Sequence, residues 1–406
     1  MKYLGIDERR GCAAGFGVLI CLMAYTIFTA SFSLLGVFVY QYLIHSSPNP
    51  GMLALLALFS VFYILSMLLA GVFIDLFGGE KIIMASFSLI VSLLLTITVV
   101  FSPEGVALNV ITGLLACVSA WLPIALGSYM RSHISVECRG TIYGLGTGIG
   151  SLVAFVLYNI TDMVSLRITT AIIGVITAVA GIIVLFTVEN AMRFERRVFK
   201  PTQLFYRRVP SLSLSVFIFY TMAGFVTVKL YPLLSDFSLS IMAYTITVPY
   251  LVFIITAGFL IDFIGRRAIG ITGFIVLSIG NAILAVYEGS PSILLSAIIP
   301  LMIIRVAYSF IDVYTVVTLI DLAGRRSKGF TLSVGLTAMS TGILLGSILA
   351  GLMEASRLGV IMGTLLLIAS LYIVIRIPET LPKRAVKKDE ILKYIDKAKK
   401  IAEKEL

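Results

Sequence analysis

Charge is what this sequence most lacks. Only 13% of its 406 residues are Asp, Glu, Lys or Arg, against about 25% in an ordinary soluble domain. That leaves too little polar surface for water to be the solvent of most of the chain. Histidine is nearly absent: His45 and His133 stand alone in different loops, with no metal-ligand spacing. Cys12, Cys21, Cys117 and Cys138 also stand singly, in or beside apolar runs. Neither a disulfide framework nor a zinc site is expected from them. No G-x-x-x-x-G-K-S/T loop occurs in the polar segments, so the usual cradle for a nucleotide phosphate is missing. Without a nucleophile–base pair, an enzyme is not expected, and no cofactor or metal is called for.

What remains is apolar. Hydrophobic residues make up 59% of the chain and mean hydropathy is +1.06. Twelve apolar runs, approximately 12–43, 52–74, 82–101, 106–129, 140–160, 165–188, 211–234, 241–261, 268–287, 292–319, 329–350 and 357–377, each reach the length needed to cross a bilayer. None alternates in polarity as a barrel strand does, so helices are expected. The run from Cys12 to Ile44 is too long for a signal-peptide core and is expected to stay as the first span.

The basic residues set the orientation. With the N-terminus cytoplasmic, all of the 31 Lys and Arg fall in inside segments except Arg167, Lys229, Arg305 and Arg357. The positive-inside bias therefore places both termini in the cytoplasm. The net charge of +10 follows from this asymmetry and requires no nucleic acid. Scarce glutamine (Gln41, Gln203) and abundant isoleucine suggest a thermophilic prokaryote, and so a multi-pass protein of its cytoplasmic membrane. The partners expected are membrane lipids and a small-molecule substrate, with the chain a monomer.

One long interior polar stretch, 189–210, divides the spans six and six. It separates a bundle at 1–188 from a second at 211–378, with a basic tail at 379–406. The halves repeat. Gly71, Asp75 and Gly78 after span 2 reappear as Gly258, Asp262 and Gly265 after span 8, at a shift of 187. Arg139-Gly140 after span 4 reappears as Lys328-Gly329 after span 10, at a shift of 189. Gly71 and Gly258 permit close helix approach, and Asp75 and Asp262 are expected to cap the following helix or meet its dipole and nearby arginines. Gly78 and Gly265 permit the tight turn. With Arg139, Arg266 and Arg267, these residues read as a charged latch that forms in one conformational state and breaks in another.

G-x-x-x-D-x-x-G-R-R at 258–267, with its weaker copy at 71–81, resembles the signature loop of the major facilitator superfamily. Leu260–Arg267, Glu137-Cys-Arg139-Gly140 and Pro378-Glu379-Thr380 resemble its sugar-porter and metabolite-symporter branch. The resemblance implies an all-α membrane protein of twelve transmembrane helices in two pseudo-symmetric six-helix bundles. It implies secondary transport by alternating access, with spans 1, 4, 7 and 10 around the cavity. The sequence departs from the family at Leu76 and Gly79-Glu80, where basic residues are usual. It also lacks the carboxylate of proton-coupled sugar symporters in span 1, and the G-P pair of drug exporters in span 5. A drug or lipophile exporter is therefore disfavoured. A non-transporting sensor would be expected to lose the paired loops, which are kept here.

Ionisable groups inside spans mark functional sites. Span 10 aligns Arg305, Tyr308, Ser309, Asp312 and Thr315 at i, i+3, i+4, i+7 and i+10, a single polar stripe. Arg305 is expected to bind an organic anion or a hydroxyl-rich solute such as a sugar. Tyr308 and Ser309 would assist it, together with Tyr25 and Thr29 of span 1 and Lys229 of span 7. Asp312 is the candidate proton carrier for symport. Neutralisation of Arg305 and Asp312 by each other or by a neighbour, and snorkelling of Lys229 to the interface, are the structural alternatives.

Overall fold

Apolar residues at helical length, with no strand-forming alternation, give helices throughout the computed structural model. It describes residues 51–101, 105–161, 166–186, 203–234, 239–287, 298–324, 327–352 and, in part, 361–380. The first half contains α1 (Gly51–Phe77), α2 (Glu80–Phe101), α3 (Gly105–Ser119), α4 (Trp121–His133), α5 (Arg139–Thr161) and α6 (Leu166–Phe186). The second contains α7 (Gln203–Leu234), α8 (Leu239–Phe263), α9 (Arg266–Tyr287), α10 (Ile299–Leu322) and α11 (Lys328–Leu352). Among the described residues, seven helical stretches are long and apolar enough to cross a membrane. Span 1 lies outside the described residues. Of the expected linker, 203–210 is already helical and begins α7.

Span 4 is a single crossing made of α3 and α4, broken at Ala120. The cause is local. Pro123 has no N–H to give the Ser119 carbonyl, and Ser66 on α1 donates to the Cys117 carbonyl at 2.6 Å. Trp121 donates to the Ser66 hydroxyl at 3.0 Å and stacks on Phe87 at 4.6 Å. The kink is thus pinned from the neighbouring helices.

Within the first half α2 packs on α6, and within the second α7 packs on α11 and α9 on α10. The two most extensive contacts between the halves are α1 with α11, and α5 with α8. Both are built on small residues. A methyl group at Gly71 would meet the Gly329 carbonyl at 2.7 Å, and one at Gly144 would meet the Cα of Gly258 at 2.7 Å. Backbones can approach this closely only where side chains are missing. Ile74, Ile124, Phe219, Ile304, Val313 and Leu319 are fully buried between helices, while Leu65, Leu69, Leu93, Val175 and Ile279 stand exposed on the apolar outside, where lipid would cover them. Cys117 is free, whereas Cys138 is disulfide-bonded. This corrects the expectation of four single thiols, because residues distant in sequence can meet in the fold.

Candidate functional site

The repeated motifs mate with one another across the two halves. Asp75 sits in the last turn of α1 and accepts hydrogen bonds from the amides of Gly329 (2.8 Å) and Phe330 (2.7 Å), the first turn of α11. Asp262 ends α8 in the same way. It accepts from the amides of Gly140 (3.1 Å) and Thr141 (2.7 Å), and from the Thr141 hydroxyl (2.9 Å), at the start of α5. A carboxylate here satisfies amides with no partner inside their own helix and opposes the positive end of the helix dipole. The expectation that each aspartate caps the following helix is corrected: each caps a helix of the opposite half. The chain turns into the following helices through Gly78 (φ 68°) and Gly79 (φ 73°) in one loop and Gly265 (φ 121°) in the other, and Asp262 meets its following helix through the Arg266 side chain.

Around Asp262 the charges form a buried network. Arg266, 1% exposed, donates to Asp262 (2.7 Å), to Asp321 (3.0 Å), and to the carbonyls of Ile261 (2.7 Å) and Val136. Arg139, from the first half, reaches the other oxygen of Asp321 at 2.6 Å and donates to the carbonyls of Ile134 and Arg131 at 3.1 Å. Asp321 therefore bridges an arginine from each half, and accepts from the Thr380 hydroxyl at 2.9 Å as well. Buried guanidinium groups are tolerable only when saturated in this manner. Glu379 caps α9, accepting from the amides of Arg266 (2.9 Å) and Arg267 (3.1 Å). At the other junction Lys328 pairs with Glu80 and donates to the Ser132 hydroxyl at 2.7 Å.

Sequence reasoning missed Asp321. It is a carboxylate near the end of a long apolar run, a signal comparable to the one that drew attention to Asp312. Glu379 lay within a motif already noted, and Glu80 had been read only as a departure from the basic pattern.

Half-way along α10, Asp312 accepts three phenolic hydroxyls: Tyr220 of α7 at 3.0 Å on one oxygen, Tyr250 of α8 at 2.9 Å and Tyr143 of α5 at 3.2 Å on the other. Tyr143 comes from the first half and the other two from the second. These hydrogen bonds to a charged acceptor remove the need for a cation beside Asp312. No ion pair joins it to Arg305 among the described residues, which disposes of mutual neutralisation by direct contact. The two lie seven residues apart on one helix, about 10 Å along its axis.

Arg305 has its guanidinium 5.3 Å from the centre of the Tyr308 ring. Its Nε is sealed from solvent without a hydrogen-bond partner. Tyr308 packs edge-on against Phe219 at 5.2 Å. Ser309 is fully buried, its hydroxyl 3.1 Å from the carbonyls of both Tyr250 and Arg305. Tyr25, Thr29 and the side chain of Lys229 lie outside the described residues. The residues at the centre that sequence reasoning passed over, Tyr143, Tyr220 and Tyr250, carry a weak signal. Each is one aromatic among many in an apolar helix, and only its hydroxyl marks it.

Residues 212–404 match the sequence profile of the Major Facilitator Superfamily. No curated protein matches the chain in sequence. Among solved structures, the proton:xylose symporter XylE bound to 6-bromo-6-deoxy-D-glucose resembles it with a TM-score of 0.70 at 12% identity, over 90% of this chain and 96% of that one. The human organic anion transporter MFSD10 (TETRAN) gives 0.69 at 12% identity, over 87% and 98%. A bacterial homologue of the iron transporter ferroportin, in its outward-facing state, gives 0.71 at 13% identity, over 88% and 98%. At these identities the likeness is one of fold.

Proposed function

The chain has the major facilitator fold and its second half belongs to that superfamily, whose members are transporters and not enzymes; on this premise we propose that it moves a small polar metabolite across a prokaryotic cytoplasmic membrane by alternating access. The observation that carries the reading is the α10 stripe. It sets Arg305, whose Nε has no hydrogen-bond partner and which forms no ion pair among the described residues, and a tyrosine-held carboxylate, Asp312, on one helix between the two bundles. Such groups are expensive inside a membrane and persist where they meet a solute or a proton. Arg305 and Tyr308 form the binding wall, joined by Lys229, Tyr25 and Thr29 of neighbouring spans.

Asp312 carries the proton. When ionised it accepts all three tyrosines; once protonated it must itself donate, and one phenol loses its place. Tyr143 makes the longest of the three bonds and comes from the other half. It is the one to yield, so proton binding loosens the centre between the bundles. The Asp75 and Asp262 junctions hold the halves together at the end that the basic residues assign to the cytoplasm, the closure that alternating access must break and remake.

Transport by purified protein in liposomes is the test, with radiolabelled sugars, carboxylates and organic cations compared against empty vesicles. At least one polar solute should accumulate, and Arg305→Ala should abolish that uptake while leaving the protein inserted and monodisperse. Uptake of none, or an Arg305→Ala protein that transports normally, removes the assignment.

A further inference from the structure

We infer that the first half adds a backbone acceptor to the central site: the Ser119 carbonyl, left without its intrahelical donor at the break in span 4, receives a hydroxyl of the transported solute. The inference rests on the transport reading above and narrows the solute to one that bears a hydroxyl, a hydroxy acid or a sugar, in place of a plain carboxylate.

It begins from the repeat. The shift of 189 that relates Arg139 to Lys328 also relates His133 to Leu322, the last residues of α4 and α10. At that shift Tyr308 and Asp312 of the α10 stripe correspond to Ser119 and Pro123. The second half presents side chains there, on a helix that runs unbroken from Ile299 to Leu322. The first half presents a broken helix, in the middle of a span from Asn109 to His133 that carries no charged side chain before Arg131.

The direction of the break is fixed by its neighbours. Trp121 donates to Ser66 and stacks on Phe87, which turns it towards α1 and α2. Ser119 and Pro123, two residues to either side, lie about 200° around the helix from it. One turn beyond Pro123, a methyl group added at Gly127 would meet Leu332 of α11 at 3.0 Å. One turn further, Arg131 donates to the Ala323 carbonyl at the end of α10, at 2.8 Å. Ser119, Pro123, Gly127 and Arg131 therefore form one line at i, i+4, i+8 and i+12, directed at the second half. The inner end of that line is closed against α10 and α11. It opens at Pro123, which is half-buried while Leu122 and residues 124–130 are buried.

At the break the sequence withdraws a donor from one carbonyl. The Ala116 carbonyl accepts from the Ala120 amide at 3.2 Å, and the Cys117 carbonyl from the Ser66 hydroxyl at 2.6 Å. The Ser119 hydroxyl is turned back to the Leu115 carbonyl at 2.6 Å. The Ser119 carbonyl would be met by the amide of residue 123, and that residue is proline. Irregular backbone at membrane depth is tolerated where protein buries it or where it lines a cavity, and transporters bind solutes at such half-helix ends. Ser119 is 2% exposed, so a hydroxyl that reaches its carbonyl past the Pro123 ring leaves water behind. A hydrogen bond made there discriminates sharply against a solute that lacks the donor.

Arg305 corresponds to Ala116, one turn outward of Ser119 and about 4.5 Å away in depth. A solute held by both offers an acceptor to the guanidinium and a donor to the carbonyl. A hydroxyl is a donor that brings no second positive charge towards Arg305.

The experiment measures uptake of labelled pairs by the purified full-length protein in liposomes. The pairs differ by hydroxyls: lactate against propionate, gluconate against hexanoate, and glucose against 2-deoxyglucose, 3-deoxyglucose and 6-deoxyglucose. The acids and the sugars separate the two sources of the hydroxyl. In at least one pair the hydroxylated member should have a kcat/KM about tenfold or more above that of its partner. Pro123→Ala returns an N–H to the Ser119 carbonyl and should bring that ratio close to one, by slowing the hydroxylated member alone. Pro123→Gly returns the same N–H on a backbone that can still bend, and should do likewise. Ser66→Ala removes the donor to Cys117 on the opposite face; it should lower the melting transition and leave the ratio as it was.

A wild-type protein that takes up the deoxy partners as readily as the hydroxylated solutes would remain a transporter and overturn the inference. So would Pro123→Ala and Pro123→Gly proteins that keep the ratio, or a Ser66→Ala protein that loses it. Failure of every probe, with the protein folded by its melting transition, would remove both the inference and the transport reading beneath it.

Discussion

The two junctions between the halves share a backbone plan and differ in charge. At one, Asp75 caps α11 and the ion pair of Lys328 with Glu80 accompanies it. At the other, Asp262 caps α5 inside a network in which Arg266, Arg139, Asp321 and Thr380 are joined. The counterpart of Asp321, at the 189-residue shift that relates Arg139 to Lys328, is Ser132. That one difference takes the central carboxylate out of the first junction. The caps are what the fold needs for the halves to close. The charges decide how tightly each side holds.

Removing Asp321 should break the stronger junction most completely. Asp321→Ala leaves Arg139 and Arg266 buried without their shared counter-ion, at a cost of about 3–5 kcal/mol to the closed state. The melting transition in detergent should fall accordingly, and a fall no larger than that of an exposed-site control would show that the network carries no weight. The two caps should then separate in size. Asp262→Ala, which also unbalances Arg266, should cost about 2–4 kcal/mol, and Asp75→Ala about 1–2 kcal/mol. Equal shifts would mean that the cap amides alone determine closure. The smallest effect sharpens the comparison from the other side. Ser132→Asp places a second carboxylate beside Lys328 and should raise stability by about 1 kcal/mol or less, bringing the weak junction closer to its twin; a lowered melting transition would contradict the proposed equivalence of positions 132 and 321.

Much of this was legible in the sequence. Gly71, Asp75 and Gly78, and their copies Gly258, Asp262 and Gly265, stood out because they recur at constant shift, and Arg139-Gly140 with Lys328-Gly329 recurs likewise. Sequence spacing could not show that the two recurring motifs are each other's partners. Asp262 and Gly140 are far apart along the chain and meet only because α8 lies on α5. Arg305 and Asp312 were visible as charges in an apolar helix. The three tyrosines were not, since a phenol in a membrane helix looks the same whether it faces lipid or a carboxylate. The departure at Glu80 was visible, but its compensation by Lys328 depends on a three-dimensional neighbour.

The crossed caps have a bearing on ancestry. Each half offers one carboxylate outward and receives one at its own bare helix start, so that Asp75 serves α11 while Asp262 serves α5. That is the form of an isologous interface, in which patch i meets patch j and j meets i. Two identical six-helix chains could make the same exchange as a homodimer with no connecting segment. A single polypeptide inherits the exchange and is released from the identity, since its two copies can mutate separately. The serine opposite Lys328 and the aspartate opposite Arg139 record that divergence.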